Sequence, residues 1–253
     1  MKAFEVARII EQFAPLETAA EWDNTGFCIG SPDTEIKAVL VGFDCTPDLV
    51  REAVSRGANM IVTHHPLIFR GVKKISPDNF LGEIITLAVK NDIVVYSAHT
   101  NADKADGGVN TLMAQRLGLL DCRVLSEDGF GLVGTLPAPM ACEDFIAFVK
   151  KQFSLKVVRA SHLIDRPVTK VALCSGSGAS LIGDALASGA DASLCGDVSY
   201  HQFFTEKEFL LLDIGHFESE IDIVDKLIAV LEEKNSTFAV LRTKTDYNPI
   251  LYF

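Results

Sequence analysis

The sequence predicts an α/β fold made of two similar, interlinked α/β domains with mainly parallel sheets. Apolar runs of strand length alternate with amphipathic segments of helix length, and a similar order of elements occurs in both halves of the chain. A strand, helix, strand order requires crossover connections between parallel strands. The chain has 253 residues, of which 48% are apolar and 23% charged, so it can bury the cores of two ordinary domains.

The first half of the chain alternates helices and strands. Thr46 and Pro47 form an N-cap and a first helical position, which marks the start of one of these helices. The predicted elements are helix 3–13, strand 38–43, a helix from residue 47 to near residue 57, strand 60–63, helix 80–89, strand 93–98 and helix 109–117.

The second half repeats this alternation after a stretch rich in Gly and Pro at residues 128–140. We place the domain boundary at the start of this stretch, which predicts a first domain of residues 1–127 and a second of residues 128–253. The tail 245–253 is expected to form a terminal strand or a strap across the other domain. The predicted elements of this half are strand 168–174, helix 181–188, strand 192–195, strand 209–214 and helix 218–233.

Charge and composition limit the partners of the protein. A formal net charge of -11 disfavours binding to nucleic acid through a basic surface. The chain has no apolar run long enough for a membrane span and no signal-peptide pattern at its start. Its six cysteines are far apart and form no CxxC pair, as expected in a reducing compartment. We therefore expect a cytoplasmic protein without a membrane partner.

Two adjacent histidines follow the predicted strand 60–63. His64 and His65 lie between Thr63 and Pro66, and the proline has no N–H with which to continue the hydrogen bonds of the strand. Ligands of open α/β sheets bind beyond the carboxyl ends of strands, and neighbouring side chains of an extended segment point in different directions. The pair is compatible with two neighbouring metal ions, although two histidines alone are equally compatible with a structural role.

A second group of polar residues follows the strand 93–98. His99 comes at the strand end and Asp103 lies four positions later. Asp103 alone could serve as a turn or helix cap, because aspartate accepts backbone N–H bonds well.

A third group follows the strand 209–214. His216 and Glu220 are four residues apart, so a helix would place them on one face. Glu220 could instead be a helix cap or part of a salt bridge. Three strand ends that each carry histidine or carboxylate favour one metal pocket, and its expected ligands are His64, His65, Asp103, His216 and Glu220.

The donor set indicates the kind of metal and chemistry. Imidazole and carboxylate without thiolate suit zinc, iron or manganese, and are too rich in nitrogen for calcium. Two divalent ions with a bridging carboxylate would act together on a phosphoester, amide or ring C–N bond. We therefore expect two divalent metal ions per chain and a hydrolytic reaction.

The motifs of the chain resemble those of the Nif-three-like family, whose bacterial members are labelled GTP cyclohydrolase I type 2 homologues. The resemblance covers nearly the whole chain. The motifs that carry it are EWDNTG at 21–26, THHPL at 63–67, HTNAD at 99–103, GGVN at 107–110, GSG at 176–178, GADA at 189–192, GD at 196–197 and GHFESE at 215–220.

This resemblance implies a two-domain subunit with a dinuclear metal site, assembled as a toroidal homohexamer. His65 and Asp103 would bind one metal, and His64 and His216 the other. Glu220 would bridge both, so that the second domain contributes His216 and Glu220 to the shared site. The resemblance also makes His99 and His201 the candidate catalytic residues, and either could instead have a supporting or surface role.

The resulting hypothesis is a dinuclear metal-dependent hydrolase that acts on a nucleotide or a related small molecule. The alternative is a metal-binding regulatory or metal-delivery protein without turnover. An enzyme requires an open coordination position, whereas a carrier requires exchangeable metal and a surface for its partner.

Overall fold

The computed structural model describes residues 1–234 and 237–253. Its strands are β1 (Gly26–Ile29), β2 (Ala38–Gly42), β3 (Met60–Thr63), β4 (Val94–Ser97), β5 (Leu120–Val124), β6 (Leu132–Met140), β7 (Arg159–Ala160), β8 (Val168–Leu173), β9 (Ala192–Cys195), β10 (Leu210–Asp213) and β11 (Ala239–Arg242). Its helices are α1 (Ala3–Phe13), α2 (Pro47–Ser55), α3 (Phe80–Lys90), α4 (Thr100–Lys104), α5 (Val109–Leu117), α6 (Cys142–Gln152), α7 (Ile182–Ala187), α8 (His216–Glu220) and α9 (Asp222–Lys234).

The predicted α/β fold with mainly parallel sheets is confirmed, and several elements begin where local chemistry predicts. α2 starts at Pro47, and the hydroxyl of Thr46 accepts the backbone N–H of Leu49 at 3.1 Å. This bond satisfies one of the N–H groups that the first turn leaves unpaired. The bounds of α1, α5, β3 and β9 agree with the prediction, because each is a run with clear periodicity or continuous apolar character.

The first unit contains Met1–Asp106 and Ile223–Tyr247. Its sheet has the order β1-β4-β3-β2-β11, in which β2, β3, β4 and β11 are parallel and β1 is antiparallel to β4. Every residue of β2, β3 and β4 is buried, as is typical of parallel strands covered on both faces. Their carboxyl ends meet at one sheet edge, which is where the histidines of this unit begin.

The second unit contains Gly107–Asp222 and Asn248–Phe253. Its sheet has the order β5-β6-β8-β9-β10-β7, with β8, β9 and β10 parallel and the others antiparallel to their neighbours. Phe145 and Val149 of α6 pack on one face with Leu173 and Leu212, while Ala185 of α7 packs in a separate core cluster. β9 and β10 therefore end side by side at one edge of a covered sheet.

The division of the structure differs from the predicted boundary between residues 127 and 128. Residues 107–127 lie in the second unit because β5 pairs with β6, and β11 lies in the first unit because it pairs with β2. The stretch 128–140 is also not a linker, since β6 is bonded on both sides, to β5 and β8.

Two predictions near the end of the chain need correction. The helix expected at 218–233 is divided into α8 and α9, and α8 starts earlier, at His216. The tail 245–253 contains no strand, so the first of its two expected forms is wrong, and the strap stays a prediction. Within residues 1–234 and 237–253, a helix with the length and apolar character needed to cross a bilayer is absent.

Candidate metal-binding residues

The pairing of β3 with β4 brings the three histidines of the first unit together. Thr63 and Ser97 are the last residues of these strands and lie opposite each other in the parallel register. The ring centroids of His64, His65 and His99, which follow the two strand ends, are 4.9 to 5.4 Å apart. The three residues offer ligand atoms within 4.8 Å of one another, so this group could hold a metal ion.

The buried ring of His64 is held by a backbone carbonyl. Its Nδ1 donates to the carbonyl oxygen of Ala98 at 2.9 Å, and a carbonyl oxygen only accepts. In the neutral ring the lone pair is therefore on Nε2, which lies 3.6 Å from Oδ1 of Asp103. A lone pair and a carboxylate oxygen repel at this distance unless they share a proton or a metal ion, so the pair suits a cation.

His65 is held by a carboxylate that follows the neighbouring strand. Its Nδ1 donates to Oδ1 of Asp44 at 2.8 Å, and Asp44 lies two residues after the end of β2. A carboxylate that accepts Nδ1–H fixes the ring orientation and raises the basicity of Nε2. This arrangement is common behind histidines that bind metal through Nε2.

His99 has the same arrangement with Asp23. Its Nδ1 donates to Oδ1 of Asp23 at 2.8 Å, while the N–H and hydroxyl of Thr100 donate to Oδ2. Burial raises the pKa of Asp23, but the hydrogen bonds from His99 and Thr100 outweigh it and lower the pKa to about 2. Asp23 is therefore ionised at neutral pH and acts as a fixed acceptor for the ring.

The exposed rings of Trp22 and Phe69 flank His99. Their centroids lie 6.4 and 6.3 Å from the His99 ring and 5.9 Å from each other. Trp22 is 61% exposed and Phe69 46% exposed. Large exposed aromatic rings next to polar functional groups are typical of a ligand-contact surface.

In the second unit, His216 and Glu220 lie on one face of α8. Nε2 of His216 is 3.0 Å from Oε2 of Glu220, and Glu220 is buried. Nδ1 of His216 donates to Oδ2 of Asp197 at 2.7 Å. The pKa of Asp197 is raised by burial but lowered more by hydrogen bonds from Ser177 and His216, and its net shift is downward. His216 and Glu220 could also hold a metal ion.

Two glycines allow the backbone to approach these ligands closely. A Cβ atom on Gly176 would overlap Oε1 of Glu220, and Gly176 has a φ of +54°. A Cβ atom on Gly196 would lie 2.8 Å from the backbone N of His216. We interpret the loop at 175–178 as a support for Glu220. The spacing of Gly and Ser alone indicates only a turn or an anion-binding loop.

The other two histidines have different surroundings. Nε2 of His162 donates to the carbonyl oxygen of Lys207 at 2.9 Å. His201 lies in a 3-10 turn, where its ring contacts Tyr200 and Phe204. Both residues are exposed. Of the two candidate catalytic residues, His99 therefore has the carboxylate partner and the neighbouring imidazoles.

The thiols differ from these donors. Burial raises the pKa of Cys45 and of Cys195 to about 12, so neither supplies a thiolate at neutral pH. The six cysteines are free thiols. The donor chemistry is thus imidazole and carboxylate, as the sequence predicts.

Together, the fold and these donors define an α/β protein with histidine and carboxylate groups that could bind a metal ion at strand ends. The chain belongs to the Duf34/NIF3 (NGG1p interacting factor 3) family, whose model matches residues 1–249. The resemblance found in the motifs is therefore confirmed.

Individual relatives agree over nearly the full length. The chain is 37% identical over 242 residues to the "GTP cyclohydrolase 1 type 2 homolog" of Clostridium perfringens, and the alignment covers 92% of each chain. It is 31% identical over 262 residues to the protein of the same name from Clostridium acetobutylicum, and this alignment covers 98% of each chain. The crystal structure of a Bacillus cereus protein related to NIF3 matches with a TM-score of 0.91 at 24% identity, over 100% of this chain and 99% of that one, and so shows the same fold.

Proposed function

We propose that the chain is a hydrolase that binds two divalent metal ions through His64, His65, Asp103, His216 and Glu220. One observation carries the proposal. Four of the six histidines, which are His64, His65, His99 and His216, have Nδ1 bonded to a fixed carbonyl or carboxylate acceptor. This arrangement leaves Nε2 for ligation or proton transfer, which is the usual support of catalytic metal sites.

The residues fit divalent ions by charge as well as by donor type. Asp103 and Glu220 add two buried carboxylates to the imidazoles, and a divalent cation stabilises buried negative charge. Together with the imidazoles of His64, His65 and His216, these two carboxylates would hold the two ions, and Glu220 would be shared between them as the resemblance implies. Zinc, iron and manganese suit this set.

The two ions and the side chains near them would have different roles in hydrolysis. Two bound divalent ions would act as Lewis acids on the scissile bond and provide a nucleophile at neutral pH. His99, with Nδ1 held by Asp23, would transfer a proton through Nε2. Trp22 and Phe69 would contact a planar part of the substrate beside it.

A nucleotide is the first substrate to test, since relatives are named GTP cyclohydrolase 1 type 2 homologues. The formal net charge of -11 would attract divalent cations and repel phosphates, so binding of a nucleotide should depend on bound metal. GTP should therefore bind poorly to protein treated with a chelator.

The test combines elemental analysis of purified, tag-free protein with a hydrolysis screen of GTP and p-nitrophenyl phosphate esters, before and after chelation and metal add-back. About two metal ions per chain with turnover that the chelator abolishes would support the proposal. Metal without turnover of any of these compounds would favour the regulatory or delivery role, and protein without metal would contradict the proposed site.

Substitutions locate the site independently of turnover. His65→Ala together with Glu220→Gln should abolish metal binding while the circular-dichroism spectrum of the α/β fold is kept. His162→Ala together with Glu206→Gln is the matched control, because it removes the same side-chain types from exposed positions. Equal metal content in the two double variants would contradict the assignment of His65 and Glu220 as ligands.

We also propose assembly as a homohexamer, as the resemblance implies. The exposed rings of Tyr200 and Phe204, 73% and 74% exposed, support self-association because large apolar rings at the surface favour interfaces. Light scattering coupled to gel filtration should give six chains per particle. A monomer at the same concentration would contradict this assembly.

A further inference from the structure

The carboxylate of Asp23 is buried beneath the segment that carries His99. Its side chain is 0% exposed. Oδ2 accepts the backbone N–H of Thr100 at 3.1 Å and the Thr100 hydroxyl at 2.6 Å, whereas Oδ1 accepts Nδ1–H of His99 at 2.8 Å. Oδ1 also accepts the backbone N–H of Asn24 at 2.7 Å, so each oxygen has a backbone N–H donor, and Oδ1 is the one that faces the ring.

The backbone of His99 is held in place by a second residue of the same loop. The hydroxyl of Thr25 accepts the backbone N–H of His99 at 3.2 Å and lies 3.0 Å from the carbonyl oxygen of Ser97, to which it donates. With the backbone fixed, rotation of the side chain is the main remaining freedom of His99. The bond to Asp23 restrains that rotation and selects which ring nitrogen carries the proton.

We propose that Asp23 is the positioning residue of His99, which holds the imidazole in the tautomer protonated at Nδ1 and leaves Nε2 to accept a proton. The role of His99 in proton transfer rests on the proposed function, whereas its tautomer does not. During hydrolysis, Nε2 takes a proton from the attacking water as the water oxygen bonds to the substrate. The ring is then an imidazolium, and its Nε2 proton passes to the leaving group while Asp23 stays ionised.

Asp23→Leu separates this role from packing, because leucine has nearly the same shape and cannot accept a hydrogen bond. Asparagine would not serve, since both oxygen positions of Asp23 face a backbone N–H, from Asn24 and from Thr100, and neither orientation of its amide is selected. Without an acceptor at Nδ1, the neutral ring takes the tautomer that imidazole prefers in water, which is protonated at Nε2. In this tautomer Nε2 has no lone pair for a proton.

The experiment is NMR on chelator-treated protein labelled with ¹⁵N at its six histidines. Two-bond correlations between ring nitrogens and carbon-bound protons distinguish the two tautomers, and the signal lost in His99→Gln assigns the residue. His99 should be protonated at Nδ1 in the wild type and mainly at Nε2 in Asp23→Leu. Asp33→Leu is the control, because this carboxylate is 75% exposed and pairs with Lys2.

Trp22 reports on the fold of the loop in the same samples. It is the single tryptophan of the sequence and directly precedes residue 23, so its emission spectrum should be the same in the wild type and in Asp23→Leu. A wild-type His99 protonated at Nε2, or a folded Asp23→Leu protein whose His99 stays protonated at Nδ1, would overturn the proposal.

The wild-type measurement is decisive even if the variant does not fold. Because the tautomer is measured without metal or substrate, failure of the hydrolase proposal leaves this result unchanged. Conversely, if the enzyme is active and metal-dependent but His99 is protonated at Nε2, only the proposed role of Asp23 is contradicted.

Discussion

Gly176 packs directly against the carboxylate of Glu220: a Cβ atom at residue 176 would overlap Oε1 of Glu220. The backbone N–H of Gly176 also donates to the hydroxyl of Ser219 at 2.9 Å, next to Glu220 in the chain. Gly176 adopts a φ of +54°, which L-residues other than glycine rarely adopt. The position of the proposed bridging carboxylate therefore depends on the absence of a side chain at residue 176.

Gly176→Ala should weaken metal binding because the added methyl group displaces Glu220. We expect an affinity for zinc about 10- to 100-fold lower, as for other changes to residues that support a ligand, with about 1 to 3 kcal/mol of backbone strain. Competition with a chromophoric chelator measures the affinity. Gly183→Ala is the control, since a Cβ at this position in α7 meets no atom within 4 Å. Equal zinc affinity in the two variants would contradict the proposed role of Glu220.

Asp44→Asn should also weaken metal binding, because Asp44 accepts Nδ1–H of His65 at 2.8 Å. An amide can present its NH₂ group to this nitrogen and favour the tautomer protonated at Nε2, which cannot ligate. The same competition assay should show about a 10- to 100-fold loss of affinity. Asp48→Asn removes a nearby carboxylate that pairs with Arg51 and should leave zinc affinity unchanged. An unchanged affinity in Asp44→Asn would contradict the role of Asp44 as a support of His65.

Removal of metal should lower the thermal stability of the protein. A ligand present at 100 times its Kd stabilises the folded state by about 2.7 kcal/mol, and about 2 to 4 °C per kcal/mol is typical of a chain of this size. Scanning calorimetry should therefore show a Tm about 5 to 10 °C lower after chelation. The variant His65→Ala with Glu220→Gln should show no such change. The same decrease in that variant would mean that the stabilising metal binds elsewhere.

The ends of the parallel strands were predictable because they are encoded locally. β3, β9 and β10 are short, mainly apolar runs whose residues are all buried, and His64 and His65 directly follow β3. Neighbouring parallel strands end at the same sheet edge, so the sequence could place His64 and His65, after β3, near His99, after β4, before any distance was known.

The carboxylates that hold the histidines were not predicted as partners. Asp23 lies 76 residues before His99 in the sequence, and no local pattern connects the two. Asp44 could have been found, because it follows β2, the neighbour of β3 in a parallel sheet, and therefore lies at the same edge as His65. Asp197 has the same relationship to His216 through β9 and β10.

The domain division depends on pairings between distant segments, which composition does not reveal. β11 pairs in parallel with β2, about two hundred residues earlier in the chain, and so returns to the first sheet. In β6, Pro137 and Pro139 lie in the stretch where the register with β8 shifts, between Thr135 and Met140. Prolines are tolerated at such irregularities, so a Gly- and Pro-rich stretch can be a strand bonded on both sides.

Glu52 of α2 stabilises the segment that follows β11. Its carboxylate accepts the hydroxyls of Thr243 and Thr245, the backbone N–H of Lys244 and the guanidinium of Arg56. Burial raises the pKa of Glu52, but these hydrogen bonds lower it more, and the net pKa lies below its ordinary value of 4.5. Glu52→Gln should therefore reduce the free energy of unfolding by about 1 to 3 kcal/mol at neutral pH.

The pH dependence of this loss follows from the lowered pKa. A carboxyl group with a lower pKa in the folded state contributes stability that is complete above the unfolded pKa and is lost as pH falls through the folded pKa. The difference between wild type and Glu52→Gln should thus be largest near pH 7 and decrease below about pH 4. Urea unfolding at both pH values measures it, with Glu83→Gln, in an ion pair with Arg51, as the control. A difference that is constant with pH would mean that Glu52 stabilises the segment by packing and not by its charge.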